Sequence, residues 1–173
     1  MELCYLVGLW KADRCSTAKG VVGIKNKDNT LLQKFVEIVE PMNLKIKFRT
    51  VEGFSTTQDV YVCNSRLRRE IENLFKLRSN LSKEELLAYF GGRIDGDGTI
   101  DAKSSHIRIY YAPNEISEAQ EDSEILKTFG IESVIKKYNV PTLSIHKPRI
   151  FAAMIKNFVV SPSKKKQLNL LSA

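Results

Sequence analysis

One internal repeat constrains this chain more than any other feature of its sequence. LVGLWKADR at 6–14 lies on FGGRIDGDG at 90–98 without gaps, placing Gly8 on Gly92, Ala12 on Gly96 and Asp13 on Asp97 at an offset of 84 positions. Self-similarity at a fixed spacing means that one structural unit is used twice. With 173 residues there is room for two small halves sharing a core, and too little for several independent domains.

The segments after the two copies run in parallel. The first is followed by a strand-like run at 20–25, an apolar-periodic helix near 30–40 through Leu31, Phe35 and Ile38, strands at 44–49 and 59–63, and a helix near 66–77 carrying Leu67, Ile71, Leu74 and Phe75. The second is followed by a strand at 106–111, a helix at 116–129, strands at 131–138 and 142–146, and a helix at 149–159 through Ile150, Met154 and Phe158. The expected class is α+β, with two pseudo-symmetric αββαββα halves at 1–80 and 81–173 and a linker near 78–82. Ser82 and Glu85 form an S-x-x-E capping box that starts the second motif helix; the first has no comparable cap.

Small residues recur every four positions in both motifs: Cys4, Gly8 and Ala12, then Ala88, Gly92 and Gly96. Ridges at this spacing interdigitate, and glycine or alanine in them lets two helix axes approach closely. A glycine inside a helix costs about 1 kcal/mol relative to alanine, so close packing must compensate for Gly8, Gly91 and Gly92. Packing the two rows together brings Asp13 and Asp97 side by side at the helix C-terminal ends. Two like charges at the negative ends of two dipoles require a proton or a cation, and hard divalent cations suit carboxylate and carbonyl oxygens. Two-metal phosphodiester hydrolysis is one use of such a pair.

Charge agrees with a polyanionic partner. The chain carries a formal charge of +7, and Lys and Arg that neutralise phosphates release condensed counterions. The three cysteines, Cys4, Cys15 and Cys63, have no C-x-x-C spacing and fit a reducing interior. No apolar run is long enough to span a bilayer, and the N-terminus lacks the basic start of a secretory signal. The expected location is intracellular, in a prokaryotic cytoplasm or an organelle. DGDGTID at 95–101 fails as a calcium loop, because Arg93 and Ser104 would fall on ligand positions; it also fails as a dinucleotide loop, because Asp101 stands at the third glycine.

The paired motifs and the repeated element order resemble the LAGLIDADG homing endonucleases in their monomeric, two-repeat form. The resemblance implies two antiparallel sheets forming a saddle over the DNA major groove, joined through the motif helices, and cleavage of both strands at a long recognition site. It makes Asp13 and Asp97 the catalytic metal ligands, assisted by the carbonyls of Ala12 and Gly96, with Mg²⁺ or Mn²⁺ as cofactor and Ca²⁺ as a non-cleaving substitute. A polar or basic residue after the first strand of each half is expected near the attacking water. Asn26 and Tyr111 align there, with Lys25, Lys27 or Lys103 as substitutes, and Asn26 and Lys25 are taken as catalytic.

The first motif departs from the pattern: Lys11 stands where an acidic residue is usual and Arg14 replaces the final glycine. Such a charge would weaken metal binding or pair with Asp95. It also motivates an alternative function of a different class, a non-cleaving nucleic-acid binder acting as an intron RNA-splicing maturase or a DNA-binding regulator.

Alternation in NLKIKFR at 43–49 places Leu44, Ile46 and Phe48 toward a core and Lys45, Lys47 and Arg49 on the other face. His106, Arg108 and Tyr110 alternate with Ile107 and Ile109, and Lys137 and Asn139 follow on a later strand. With Lys19, Lys25, Lys27 and Lys103, these are the expected DNA contacts. The lysine run at 164–166 reads as a solubilising or phosphate-contacting tail.

Overall fold

The computed structural model describes residues 1–50, 57–137 and 139–173. Both copies of the repeat are helices, α1 (Glu2–Asp13) and α4 (Lys83–Asp97), packed along their lengths and each ending on the motif aspartate. Every residue from Cys4 to Lys11 and from Leu86 to Asp95 is buried, which marks helices enclosed on all sides. The glycines explain how they fit. A Cβ at Gly8 would strike the backbone of Tyr89 and lie 2.9 Å from the Arg93 amide nitrogen, and one at Gly92 would strike the Tyr5 carbonyl and lie 2.6 Å from the Leu9 amide nitrogen. The expected small-residue interface is therefore backbone against backbone.

Two antiparallel sheets flank this pair. The first contains β1 (Val21–Asn26), β2 (Lys47–Thr50) and β3 (Gln58–Cys63) in the order β1-β3-β2. Its apolar face, with Val22, Ile24, Val60 and Val62, packs with α2 (Asn29–Val39) and α3 (Ser65–Lys76). The second contains β4 (Gly98–Asp101), β5 (His106–Tyr110), β6 (Ser133–Lys137) and β7 (Pro141–Ile145) in the order β4-β5-β7-β6. Ile107, Ile109, Leu143 and Ile145 give it an apolar face shared with α5 (Ile116–Thr128) and α6 (Pro148–Ile155). A further helix, α7 (Pro162–Ser172), packs on α6 and β4. Removing the edge strand β4 leaves two sheets with the same order.

The α+β class and the two-sheet arrangement are as expected, with local differences. Among the described residues the first half has three strands rather than four. The counterpart of β4 is reduced to one bridge between Arg14 and Ile24, with the Cys15 amide donating to the Gly23 carbonyl at 3.2 Å. Phe48, expected in the core, is 63% exposed because β2 is an edge strand whose residues all face solvent. The helix expected at 149–159 ends at Ile155, and its buried side is Phe151, Ala152 and Ile155, whereas Ile150 is exposed. The lysine run is no tail. Ser161 and Pro162 start α7 in the common arrangement of serine at the N-cap and proline at the first helical position. Tyr138, at the end of the strand expected at 131–138, lies outside the described residues.

The α4 capping box is present: the Ser82 amide donates to Glu85 Oε2 at 2.9 Å and the Glu85 amide to Ser82 Oγ at 3.4 Å. α1 has no side-chain cap. In the connector, Arg78 is buried; its guanidinium bonds Asp122 on α5 at 2.8 Å and lies 4.1 Å from the Phe75 ring centroid. The Tyr89 and Tyr111 hydroxyls donate to the same carboxylate at 2.9 and 2.8 Å. A buried charge with this many partners is tolerated, and it fastens the connector to the second half.

Candidate metal and nucleic-acid site

The ends of α1 and α4 sort the two aspartates into crossed half-sites. A Cβ at Gly96 would strike the Ala12 Cβ and lie 3.1 Å from Asp13 Oδ2, so Asp13 stands against the backbone preceding the other aspartate. Asp97 in turn lines a cleft of about 440 Å³ together with Ala12, Lys11, Arg14, Tyr110 and Glu115. Each half-site thus combines one motif's carboxylate with the other motif's penultimate residue.

Around Asp13, the Asn26 side-chain amide at the end of β1 donates to Oδ2 at 2.6 Å. Asn26 is fixed from behind by the Asp28 amide, which donates to its Oδ1 at 2.8 Å, while Asp28 Oδ2 accepts from Ser161 Oγ at 3.0 Å. This chain crosses from one half to the other. Tyr111, the aligned counterpart of Asn26, is buried with its hydroxyl on Asp122, so what it brings to the Asp97 side is its ring and not a hydrogen bond.

Around Asp97, the nearest cation is Arg93, fully buried, with Nη1 4.0 Å from Asp97 Oδ2 and the guanidinium 4.4 Å from the Tyr111 ring centroid. Its Nη2 donates to the Tyr110 carbonyl at 3.3 Å; Nε and Nη1 have no hydrogen-bond partner among the described residues.

Burial pushes both motif carboxyls up to about 6. At Asp13 the Asn26 bond and the positive charges of Lys164 and Arg93 oppose the shift; at Asp97 Arg93 opposes it and Asp13 adds to it. A divalent cation would neutralise two such partly buried carboxylates without protonation. The donor set fits hard cations. Asp13, Asp97 and the helix-end carbonyls supply oxygen alone, leaving further positions to water and phosphate.

The first-motif departures are absorbed elsewhere. Lys11 does not pair with Asp95: its Nζ bonds Glu118 at 2.8 Å and Glu115 at 3.4 Å and lies 4.4 Å from the Phe75 ring centroid. Arg14 Nη2 is 4.0 Å from Glu115 Oε1. Asp95 is held by the Tyr5 hydroxyl at 2.8 Å and by the Val160 and Ser161 amides at 2.7 and 3.1 Å, where the chain enters α7. A carboxylate at a helix N-terminus is well placed electrostatically.

Register assigns the expected nucleic-acid contacts to faces. Directly paired residues share a face, so Lys25, Lys47 and Arg49 lie on the outer face of the first sheet with Asp59 and Tyr61. Lys25 therefore points away from Asn26, its neighbour on the strand. Arg49 is engaged with Asp59, and Lys47 Nζ is 5.9 Å from the Tyr61 ring centroid. His106, Arg108 and Tyr110 share the outer face of the second sheet with Ser144, Thr142 and Lys136, whereas Lys137 falls on the other parity beside Pro141. Lys45, Lys27, Lys103 and Asn139 are exposed in connecting segments, and Lys19 lines a separate surface cleft with Arg68 and Arg69.

Alignment of the two motifs missed two residues of the site. Arg93 occupies the position of Leu9 in the first motif, so the repeat gave no hint of it, although its i,i+4 spacing from Asp97 on one helix is a signal that could have found it. Lys164 donates to the carbonyls of Ile94, Asp95 and Gly96 at 2.7, 2.6 and 3.3 Å. The Ser-Pro at 161–162 marks a helix start, but nothing local shows where that helix docks.

Residues 84–153 match the family described as LAGLIDADG-like domain. A comparison with curated proteins finds no match. Among solved structures, the homing endonuclease I-DmoI in complex with DNA and Ca is 20% identical with a TM-score of 0.75, covering 97% of this chain and 96% of that one. I-DmoI in complex with DNA and Mn is also 20% identical, with a TM-score of 0.71 over 89% of this chain and 95% of that one. Full-length DUF199/WhiA from Thermatoga maritima is 10% identical, with a TM-score of 0.71 over 99% of this chain and 59% of that one. The fold is that of the two-repeat LAGLIDADG proteins. Because an endonuclease and WhiA both have it, what this chain does must be argued from its own site. No helix among the described residues is long and apolar enough to cross a membrane.

Proposed function

We propose that this chain, a two-repeat LAGLIDADG protein, is a monomeric, divalent-metal-dependent endonuclease that cuts both strands of a long duplex DNA site. The observation that carries the reading is the pair Asp13 and Asp97, each at the end of a motif helix and each set against the other motif's penultimate residue. The solved complexes of I-DmoI with DNA and Ca or Mn support a DNA partner and a divalent cation.

Asp13, Asp97 and the carbonyls of Ala12 and Gly96 would hold Mg²⁺ or Mn²⁺, with Ca²⁺ as a substitute that permits binding without cutting. When bound, the cation supplies charge neutralisation at the scissile phosphate and a more acidic water. The chain's own residues do the positioning. Asn26 fixes the rotamer of Asp13 through one bond and is itself held by the Asp28 amide. Arg93 places a permanent positive charge beneath Asp97.

The outer sheet faces are the DNA surface in this reading, with Lys25, Lys47 and Arg49 from one half and His106, Arg108 and Tyr110 from the other. Lysines there neutralise phosphate, whereas Arg, His and Tyr can reach base edges in the major groove.

Selection of cleaved sites from a randomised duplex library in Mg²⁺ tests the reading. Linear double-strand products that disappear with Asp13→Asn or Asp97→Asn are expected. Tight, specific DNA binding without cutting in either Mg²⁺ or Mn²⁺ would replace it with the second reading, a non-cleaving regulator, and preferential binding of a structured intron RNA would indicate a maturase. The lysine on the Gly96 carbonyl favours that second reading.

A further inference from the structure

The position of Lys164 makes the two half-sites chemically unequal. Asp95 receives the Val160 and Ser161 amides, so the start of α7 is clamped onto the last turn of α4. One turn into α7, the Lys164 ammonium directs its protons at three successive α4 carbonyls, those of Ile94, Asp95 and Gly96. An ammonium has three N–H donors, and helix C-terminal carbonyls carry the negative end of the dipole, so the match is complete in number and in sign. The first half has no equivalent. There α3 leads through a connector with one 3-10 turn at Arg78–Asn80 into α4, and among the described residues no α-helix occupies the place of α7. Arg93, the cation nearest Asp97, bonds the Tyr110 carbonyl on a strand rather than a motif-helix carbonyl.

We propose that Lys164 is a built-in cation of the half-site formed by Asp13 and the Gly96 carbonyl, so that a divalent metal enters there only by displacing its ammonium. The half-site of Asp97 and Ala12 has no such competitor on its carbonyl. The inference rests on the metal-dependent reading of the aspartate pair. In catalysis it makes one strand wait for the other: the half-site without the lysine is loaded first, and a nicked intermediate accumulates at low metal concentration.

The test is Mn²⁺ binding to the full-length, DNA-free chain, followed by electron paramagnetic resonance of free Mn²⁺. Lys164→Met is expected to bind at least tenfold more tightly than the wild type. Lys164→Arg, which keeps the charge, is expected to stay near the wild type, and adding Asp13→Asn to Lys164→Met should cancel the gain. Circular dichroism controls for folding; should the methionine variant melt early, Lys164→Gln retains a donor for the carbonyls and takes its place. Equal Mn²⁺ binding by the wild type and the neutral variant, including none by either, overturns the proposal, as does a gain that survives Asp13→Asn. Because the measurement uses no DNA, a chain that never cuts can still pass it, and one that cuts can fail it.

Discussion

α1 and α4 present the same aspartate at the same end and differ in almost every charge around it. Where α4 has Arg93 and Asp95, α1 has Leu9 and Lys11. Asp95 is held by hydrogen bonds from a tyrosine hydroxyl and two backbone amides entering α7, whereas Lys11 is paired with Glu115 and Glu118. The two copies agree where backbone touches backbone and diverge where charge alone must balance. Contact at Gly8 and Gly92 admits only hydrogen, so sequence freedom there is nil. A buried charge needs only matching hydrogen-bond donors or an opposite charge, and either sign can find them.

The sharpest way to break this comparison is steric. Gly8→Val and Gly92→Val should each cost about 3 kcal/mol or more, since the added carbons meet backbone that cannot move aside. Urea denaturation would measure it, and a small cost at either position would show that the helices can separate.

Next comes the charge that replaced its own opposite. Lys11→Met leaves Glu115 and Glu118 facing each other in a partly buried place and should cost about 3 kcal/mol. Adding Glu115→Gln and Glu118→Gln should recover much of it. Failure to recover would mean that packing of the lysine stem on Phe75, not charge, is what matters.

A smaller effect concerns the aspartates. Their folded values, about 6, lie above the 3.8 of an unburied aspartate. The folded chain therefore keeps protons that the unfolded chain has released, so the contribution to stability is full below about pH 4 and is lost as pH rises through 6. In metal-free buffer Asp13→Asn should flatten this decline and raise stability at pH 8 by about 1 kcal/mol, a figure reduced for solvent screening. Urea midpoints from pH 4 to 8 check it; an unchanged slope would show that the pair is already neutralised. Smallest is the difference at the helix starts: Ser82→Ala should cost about 1 kcal/mol through the lost cap, with thermal denaturation as the readout.

Much of the architecture was legible because it is periodic. Leu31, Phe35 and Ile38, or Leu67 and Ile71, recur at helical spacing, and all five are buried. Phe48 and Ile150 misled for one reason: alternation in a strand, like periodicity in a helix, says which residues share a face, not which face is covered. The site was half legible. Asp13 and Asp97 follow from the repeat, Asn26 follows from the family resemblance, and the structure brings Asn26 onto Asp13. Lys25 follows from the same segment yet lies on the opposite face of β1, while register puts Lys136 rather than Lys137 on the outer face, beside Thr142 and Tyr110. Lys164 could not be found, being far along the chain from every carbonyl it touches.

The sequence by itself determined what local chemistry determines: two motif helices, the small rows that let them meet, their acidic ends, and the capping box that starts the second. Close helix packing is written in residue size at fixed spacing, so a repeat of glycines carries it. The tertiary structure alone decided which charges meet across different elements. Helical spacing sets Arg93 beside Asp97, but only the fold lays the Tyr111 ring against that guanidinium, and Lys164 reaches α4 because Asp95 holds the start of α7. Electrostatic partners are chosen by proximity in space, and a chain read in order has no measure of that distance.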